Sequence, residues 1–115
     1  MTLRELEAEF YRYVDEQDGR ILWRLVETLA QAHGVMFLCP KCYQENGGAV
    51  GTHRVICWSR SRGVPDEAQP KPGRWPLLGT GLDDLTLDGD PPGTASVLLT
   101  NGCGAHFFVK NGEVC

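Results

Sequence analysis

Leu3, Leu6, Phe10, Tyr13 and Val14 recur at three- and four-residue intervals, the spacing that gathers side chains on one face of a helix. Thr2 stands before this run and Glu5 follows three residues later, the signature of a capping box at a helix start. The pattern predicts an amphipathic helix over residues 3 to 17, closed by Asp18-Gly19. Leu22, Leu25, Val26 and Leu29, with Ala30 and Ala32 beside them, repeat the period up to His33-Gly34. Two helices joined by a short turn are therefore expected to pack as an antiparallel pair, with His33 as a C-terminal capping residue before Gly34.

Beyond Gly34 the period changes. VMFL (35–38) is a short apolar run, and THRVICW (52–58) carries the β-branched and aromatic mix of a strand. Residues 59 to 73 are charged and proline-rich, so a loop is expected there. Brief extended pieces are expected at 74–78 and 83–87, before the turn-rich DGDPPGT (88–94). ASVLLT (95–100) and HFFVK (106–110) read as closing strands around Asn101-Gly102-Cys103-Gly104, and Asn111-Gly112 is a second tight-turn signal. The expected class is α+β: an N-terminal helical segment (1–33), then a small, loop-rich antiparallel sheet (34–115), the two packed as one compact domain.

Charge alters this picture only by exclusion. The formal net charge is −4, which disfavours a phosphate-neutralising nucleic-acid binder. Arg54, Arg60 and Arg62, with Lys71 further on, form the one local basic stretch and keep nucleic-acid binding as a lesser alternative. MTLRELEAEF lacks the apolar core of a signal peptide, and no stretch approaches the ~20 apolar residues of a membrane span. A cytoplasmic setting is expected, where the five cysteines are free or metal-bound rather than paired.

Cys39-Pro-Lys-Cys42 and Cys103-Gly-Ala-His106 are the two short motifs that carry chemistry. Together they supply three thiolates and an imidazole, a set that suits tetrahedral zinc. A two-residue spacing lets a tight turn aim two side chains at one ion. Pro40 presets the backbone after Cys39, leaving the Lys41 and Cys42 amides to face its sulfur, and Gly102 and Gly104 allow close backbone approach around Cys103. His53 and Cys57 are rivals of His106 for the fourth position; Cys57 also suits a small buried apolar site, and Cys115 reads as a free thiol. A redox couple at Cys39 and Cys42 would need a helix after Cys39 and a parallel crossover, and Tyr43 to Gly48 promises neither. No His-x-Glu pair accompanies the cysteines, so a deaminase-like zinc centre lacks its proton carrier. A zinc hydrolase or deaminase-like enzyme, with His53, Glu45, Asp83 or Asp84 as base, stays as the alternative to a structural ion.

The order GVMFLCPKC, NGG…GTH, GRW, GTGLDDLTL, SVLL and GCGAHFFVKNGEV resembles an uncharacterised family of small bacterial and phage proteins, a domain of unknown function. Its members carry a Cys-Pro-x-Cys near one end and a Cys-Gly-x-His near the other. The likeness spans residues 34 to 114. It departs at Ala105, where the family has an aromatic, and at the 88–94 insertion. The resemblance implies a zinc-ribbon-like role for Cys39, Cys42, Cys103 and His106, a phage or prophage setting and neighbours in ubiquitin-like conjugation. It implies no activity. The expected function is a zinc-stapled module that contacts a protein partner. Trp58, Trp75 and the Phe10/Tyr11/Tyr13 cluster are contact candidates, although core packing is the favoured reading of each aromatic. A homodimer through the N-terminal helices is a further expectation.

Overall fold

The computed structural model describes residues 1–17, 20–70, 73–89, 95–99 and 102–115, with side chains omitted at 15–17 and 20–22. The expected helix stop at Asp18-Gly19, most of the 88–94 segment, Lys71 and Asn101 lie outside the described residues.

The N-terminal helical pair is not formed. Strands β1 (Glu9–Gln17) and β2 (Arg20–Val26) make an antiparallel hairpin in its place, with Phe10 opposite Val26 and Tyr13 opposite Trp23. The capping box does close: the Thr2 and Glu5 amides donate to the Glu5 and Thr2 side chains, each at 3.1 Å. It caps a single turn, however, because Glu7 enters the left-handed region at φ 54°. Leu3 and Leu6 then point into the core at 0% exposure, and the Leu6 carbonyl accepts the Leu38 amide at 2.9 Å. The spacing of Leu3, Leu6 and Phe10 is thus a helix period split between a turn and a strand. Aromatic and β-branched residues from Phe10 onward favour the pleated surface, and tertiary pairing overrides the 3.6 period. The second expected helix leaves only a 3-10 turn at Leu29–Gln31. No helical stripe is available for the dimer expected there.

Strand β3 (Gly34–Leu38) and, after one α-helix, strand β4 (Arg54–Trp58) complete a four-stranded antiparallel sheet of order β2-β1-β3-β4. β1 therefore pairs directly with β3, Glu9 opposite Met36, and the sheet crosses the expected 33/34 boundary. Both faces are apolar. Phe10, Val35, Phe37, Val55 and Cys57 face the main core, while Ile56, Met36, Tyr11, Tyr13 and Trp58 face a smaller cluster with Val64 and Ala68. This two-residue alternation is the strand period expected of a sheet covered on both sides.

Helix α1 (Pro40–Asn46) follows β3 directly and ends at Gly47, whose φ of 70° supplies a left-handed cap. Among the described residues the remaining strands are two residues each: β5 (Leu77–Leu78) with β6 (Thr86–Leu87), β7 (Val97–Leu98) with β8 (His106–Phe107), and β9 (Val109–Lys110) with β10 (Glu113–Val114). The Asn111-Gly112 turn closes the last pair with φ of 50° and 78°, the left-handed pair that a tight hairpin turn demands. The chain's two ends meet: the Leu3 amide donates to the Gly112 carbonyl at 2.9 Å and the Val114 amide to the Met1 carbonyl at 2.7 Å.

The proline-rich 59–73 loop is organised by a buried cation. Arg74 is 2% exposed, and its guanidinium donates to the carbonyls of Pro65, Asp66, Ala68, Pro70 and Gly73. Five backbone acceptors stand in for a carboxylate. Trp58 is buried and donates its indole N–H to the Gln69 carbonyl at 2.8 Å, and Trp75 is partly buried. Both pack against the interior, the reading favoured for each of these aromatics over an exposed contact.

Candidate metal centre

β3 delivers Cys39. The strand ends at Leu38, Cys39 becomes the residue before α1, and Pro40 opens the helix at its first position, where proline's missing N–H is tolerated. A seven-residue helix does therefore follow Cys39, against the expectation drawn from Tyr43 to Gly48. One helical turn brings Cys42 back beside Cys39. The Cys39 side chain accepts no capping hydrogen bond from α1, so the amide-to-sulfur bonds expected of Lys41 and Cys42 are absent. Its sulfur lies instead 3.6 Å from that of Cys103.

β4 delivers the imidazole. Leu38 is opposite Arg54 in the β3–β4 ladder, and one step further the Cys39 amide donates to the His53 carbonyl at 2.9 Å. The ladder thus holds the first thiol and this histidine across from each other. Cys103 arrives from a distant turn, flanked by Gly102 (φ 146°) and Gly104 (φ 73°). Lys41 ties that turn to α1 by donating from Nζ to the Cys103 carbonyl at 2.6 Å. Cys103 Sγ sits 3.5 Å from His53 Nε2.

The ligand atoms of Cys39, Cys42, His53 and Cys103 all lie within 4.8 Å of one another, and the group could hold a metal ion. Three of the four expected residues are brought together. His106 is not: it lies exposed in β8, opposite Leu98, with its ring 6.2 Å from that of Phe108. Extended backbone explains this. Ala105 and Phe107 point inward, so the residue between them points outward, whereas the expected placement required a knuckle turn running through His106. Cys57 faces the main core opposite Val35, and burial pushes its thiol well above the ordinary value. Cys115 is exposed, its sulfur 3.9 Å from the Phe108 carbonyl.

Electrostatics within the group are uneven. Proximity to His53, with the Ala105 amide and the other two thiols, brings Cys103 down to about 7 against the opposing effect of burial. Cys42 is pushed up to about 12, first by desolvation and then by the neighbouring Cys103 and Cys39. One thiolate is readily formed, and each further one meets the charge already present. A divalent cation would remove that conflict, which is the chemistry of a Cys3His set.

Among the described residues no carboxylate belongs to the group. Asp83 pairs with Arg4, which holds its carboxyl below the ordinary range, and Asp84 caps the Thr80 and Gly81 amides. Glu45 is exposed on α1. Of the bases named for an enzyme, Asp83 and Asp84 are thus engaged elsewhere, His53 is within the donor set, and Glu45 lies outside that set. The basic stretch is also internally occupied: Arg54 lies 3.8 Å from both Glu7 and Glu9, Arg60 pairs with Asp66, and Arg62 donates to the Leu29 and Ala32 carbonyls. Among the described residues no helix is long and apolar enough to cross a membrane. Compared with family models, curated proteins and solved structures, the chain matches none.

Proposed function

We propose that this chain is a small zinc protein in which Cys39, Cys42, His53 and Cys103 hold one structural ion, and that the fold so fixed is an interaction module for a protein partner. The observation that carries the first part is the convergence of four donors within 4.8 Å from three separate stretches of chain. Four soft or borderline donors fill a tetrahedral shell and suit zinc over the harder cations, which prefer oxygen. Such an ion would fasten the β7–β8 hairpin to the β3–α1 junction, linking residues 64 positions apart. Closing so long a loop by ligation adds folding free energy.

Support for the second part lies on β2. It is an outer strand of the sheet, and Trp23 and Leu25 are 47% and 55% exposed along it. Two half-exposed apolar side chains beside an outer strand edge are the kind of surface that takes a partner. A bacterial or phage setting is part of this proposal and rests on the resemblance alone.

Native mass spectrometry of protein loaded with zinc tests the metal reading. One retained zinc, lost in Cys39→Ser and Cys103→Ser, is expected; a metal-free mass at stoichiometric zinc would overturn it. Affinity capture with a Trp23→Ser/Leu25→Ser double variant tests the interaction. A stoichiometric protein partner should be retained by the native chain and lost by the variant. Equal capture by both would remove β2 as the contact.

A further inference from the structure

His33 and Cys39 stand just outside the two ends of β3, roughly 20 Å apart at about 3.3 Å per residue. A second polar site lies at the His33 end. Past the β1–β3 pairing, the β1–β2 hairpin and the turn at Gly63 border an open cavity of about 470 Å³ lined by Arg12, Tyr13, Arg24, His33, Gly63 and Pro65, among others. That volume falls within the range of small-molecule sites.

Arg12 and Arg24 are direct cross-strand partners. Like charges so placed repel and destabilise a hairpin unless something neutralises them. Among the described side chains no carboxylate pairs with either: the acidic partners belong to Arg4, Arg54 and Arg60. Arg12 spends one nitrogen on the Gln31 carbonyl at 3.2 Å, which steers the guanidinium without cancelling its charge. His33 adds a donor. Its Nδ1 accepts the Tyr13 amide at 3.2 Å, so a neutral ring carries its proton on Nε2, and no protein acceptor takes that proton among the described residues.

We propose that this cavity binds a phosphate group, free or as a monoester on a small molecule, between the Arg12 and Arg24 guanidinium groups with the His33 Nε2–H as a third donor. Guanidinium forks match tetrahedral oxyanions in geometry and charge, and the anion would relieve the Arg12–Arg24 repulsion. The site is independent of the metal centre at the other end of β3.

The test is an amide-resolved NMR titration of the zinc-loaded full chain with sodium phosphate, adenosine 5′-monophosphate, adenosine and, at matched ionic strength, sodium chloride. Saturable shifts centred on the Tyr13, Arg24 and Gly63 amides are expected with phosphate and the monophosphate, and not with adenosine or chloride. Tighter binding of the monophosphate would identify an esterified phosphate as the preferred form; equal binding would identify the free ion. Arg24→Gln and Arg12→Gln should each weaken binding by about ten-fold or more, the order of a lost charge-assisted pair, and Arg4→Gln should leave it unchanged. Because the same spectra report whether each variant is folded, the comparison stands for whichever arginine variant keeps native dispersion. Non-saturating shifts, shifts matched by chloride, or native affinity in a folded arginine variant would overturn the proposal.

Discussion

His53 and His106 differ by one geometric fact. The first continues a strand ladder straight across from Cys39, while the second alternates outward between two buried neighbours. Spacing in the sequence could not separate them, because a two-residue gap after Cys103 brings a histidine close only if the backbone turns there. The antiparallel pairing of VMFL with RVICW is the signal that would have found His53, since it sets the residues flanking both strands side by side. Substitution separates the two histidines in practice. His53→Ala should cut zinc affinity at least about ten-fold, the order seen when a ligand or its support is lost, and His106→Ala should leave it within error, as measured by competition with a chromogenic chelator. A second residue-scale expectation concerns His33. Burial, then Arg12 and Arg62, hold its ring below its ordinary value of 6.5. As pH falls below that value the unfolded chain takes up a proton that the folded chain resists, so folding stability decreases with acid and is fully present at higher pH. Urea midpoints between pH 7.5 and 5.5 should fall less in His33→Gln than in the native chain; parallel slopes would contradict this.

Elements were legible where local chemistry and tertiary demand agree. VMFL, RVICW and the Asn111-Gly112 turn appear as expected, and the Thr2–Glu5 capping box forms. The N-terminal third imitates a helix because Leu3, Leu6, Phe10, Tyr13 and Val14 satisfy a helical period by combining a one-turn cap with a two-sided strand. A strand apolar on both faces loses the clean alternation that identifies it. Far-UV circular dichroism should accordingly lack the strong 222 nm helical minimum that a helical pair would give. The 59–73 loop hid a different device: Arg74, whose five carbonyl contacts no composition argument reveals. Arg74→Met would leave several buried carbonyls unpartnered and should cost about 3 kcal/mol or more in chemical denaturation. A loss under about 1 kcal/mol would show that water replaces the guanidinium there.

At the scale of the whole molecule, the main core and the candidate centre are joined. Phe37 stacks edge-on against Phe107 at 5.8 Å, packing β3 against β8 close to the point where Cys39 meets Cys103. Phe37→Ala should destabilise the fold by about 3–5 kcal/mol and loosen zinc with it. Leu3, Leu6 and Phe10 are part of the same core, so a fragment of residues 34–115 loses both buried apolar surface and the β1 partner of β3. Collapsed amide dispersion is the expected result for that fragment. These couplings reduce to one question, whether metal and fold are held or lost together. Thermal unfolding of the zinc-loaded chain, followed with and without excess chelator, answers it most directly. We predict one cooperative transition that shifts down by many degrees, or vanishes, when zinc is withdrawn and returns when zinc is restored. A metal-free chain melting cooperatively at an unchanged temperature would contradict the account.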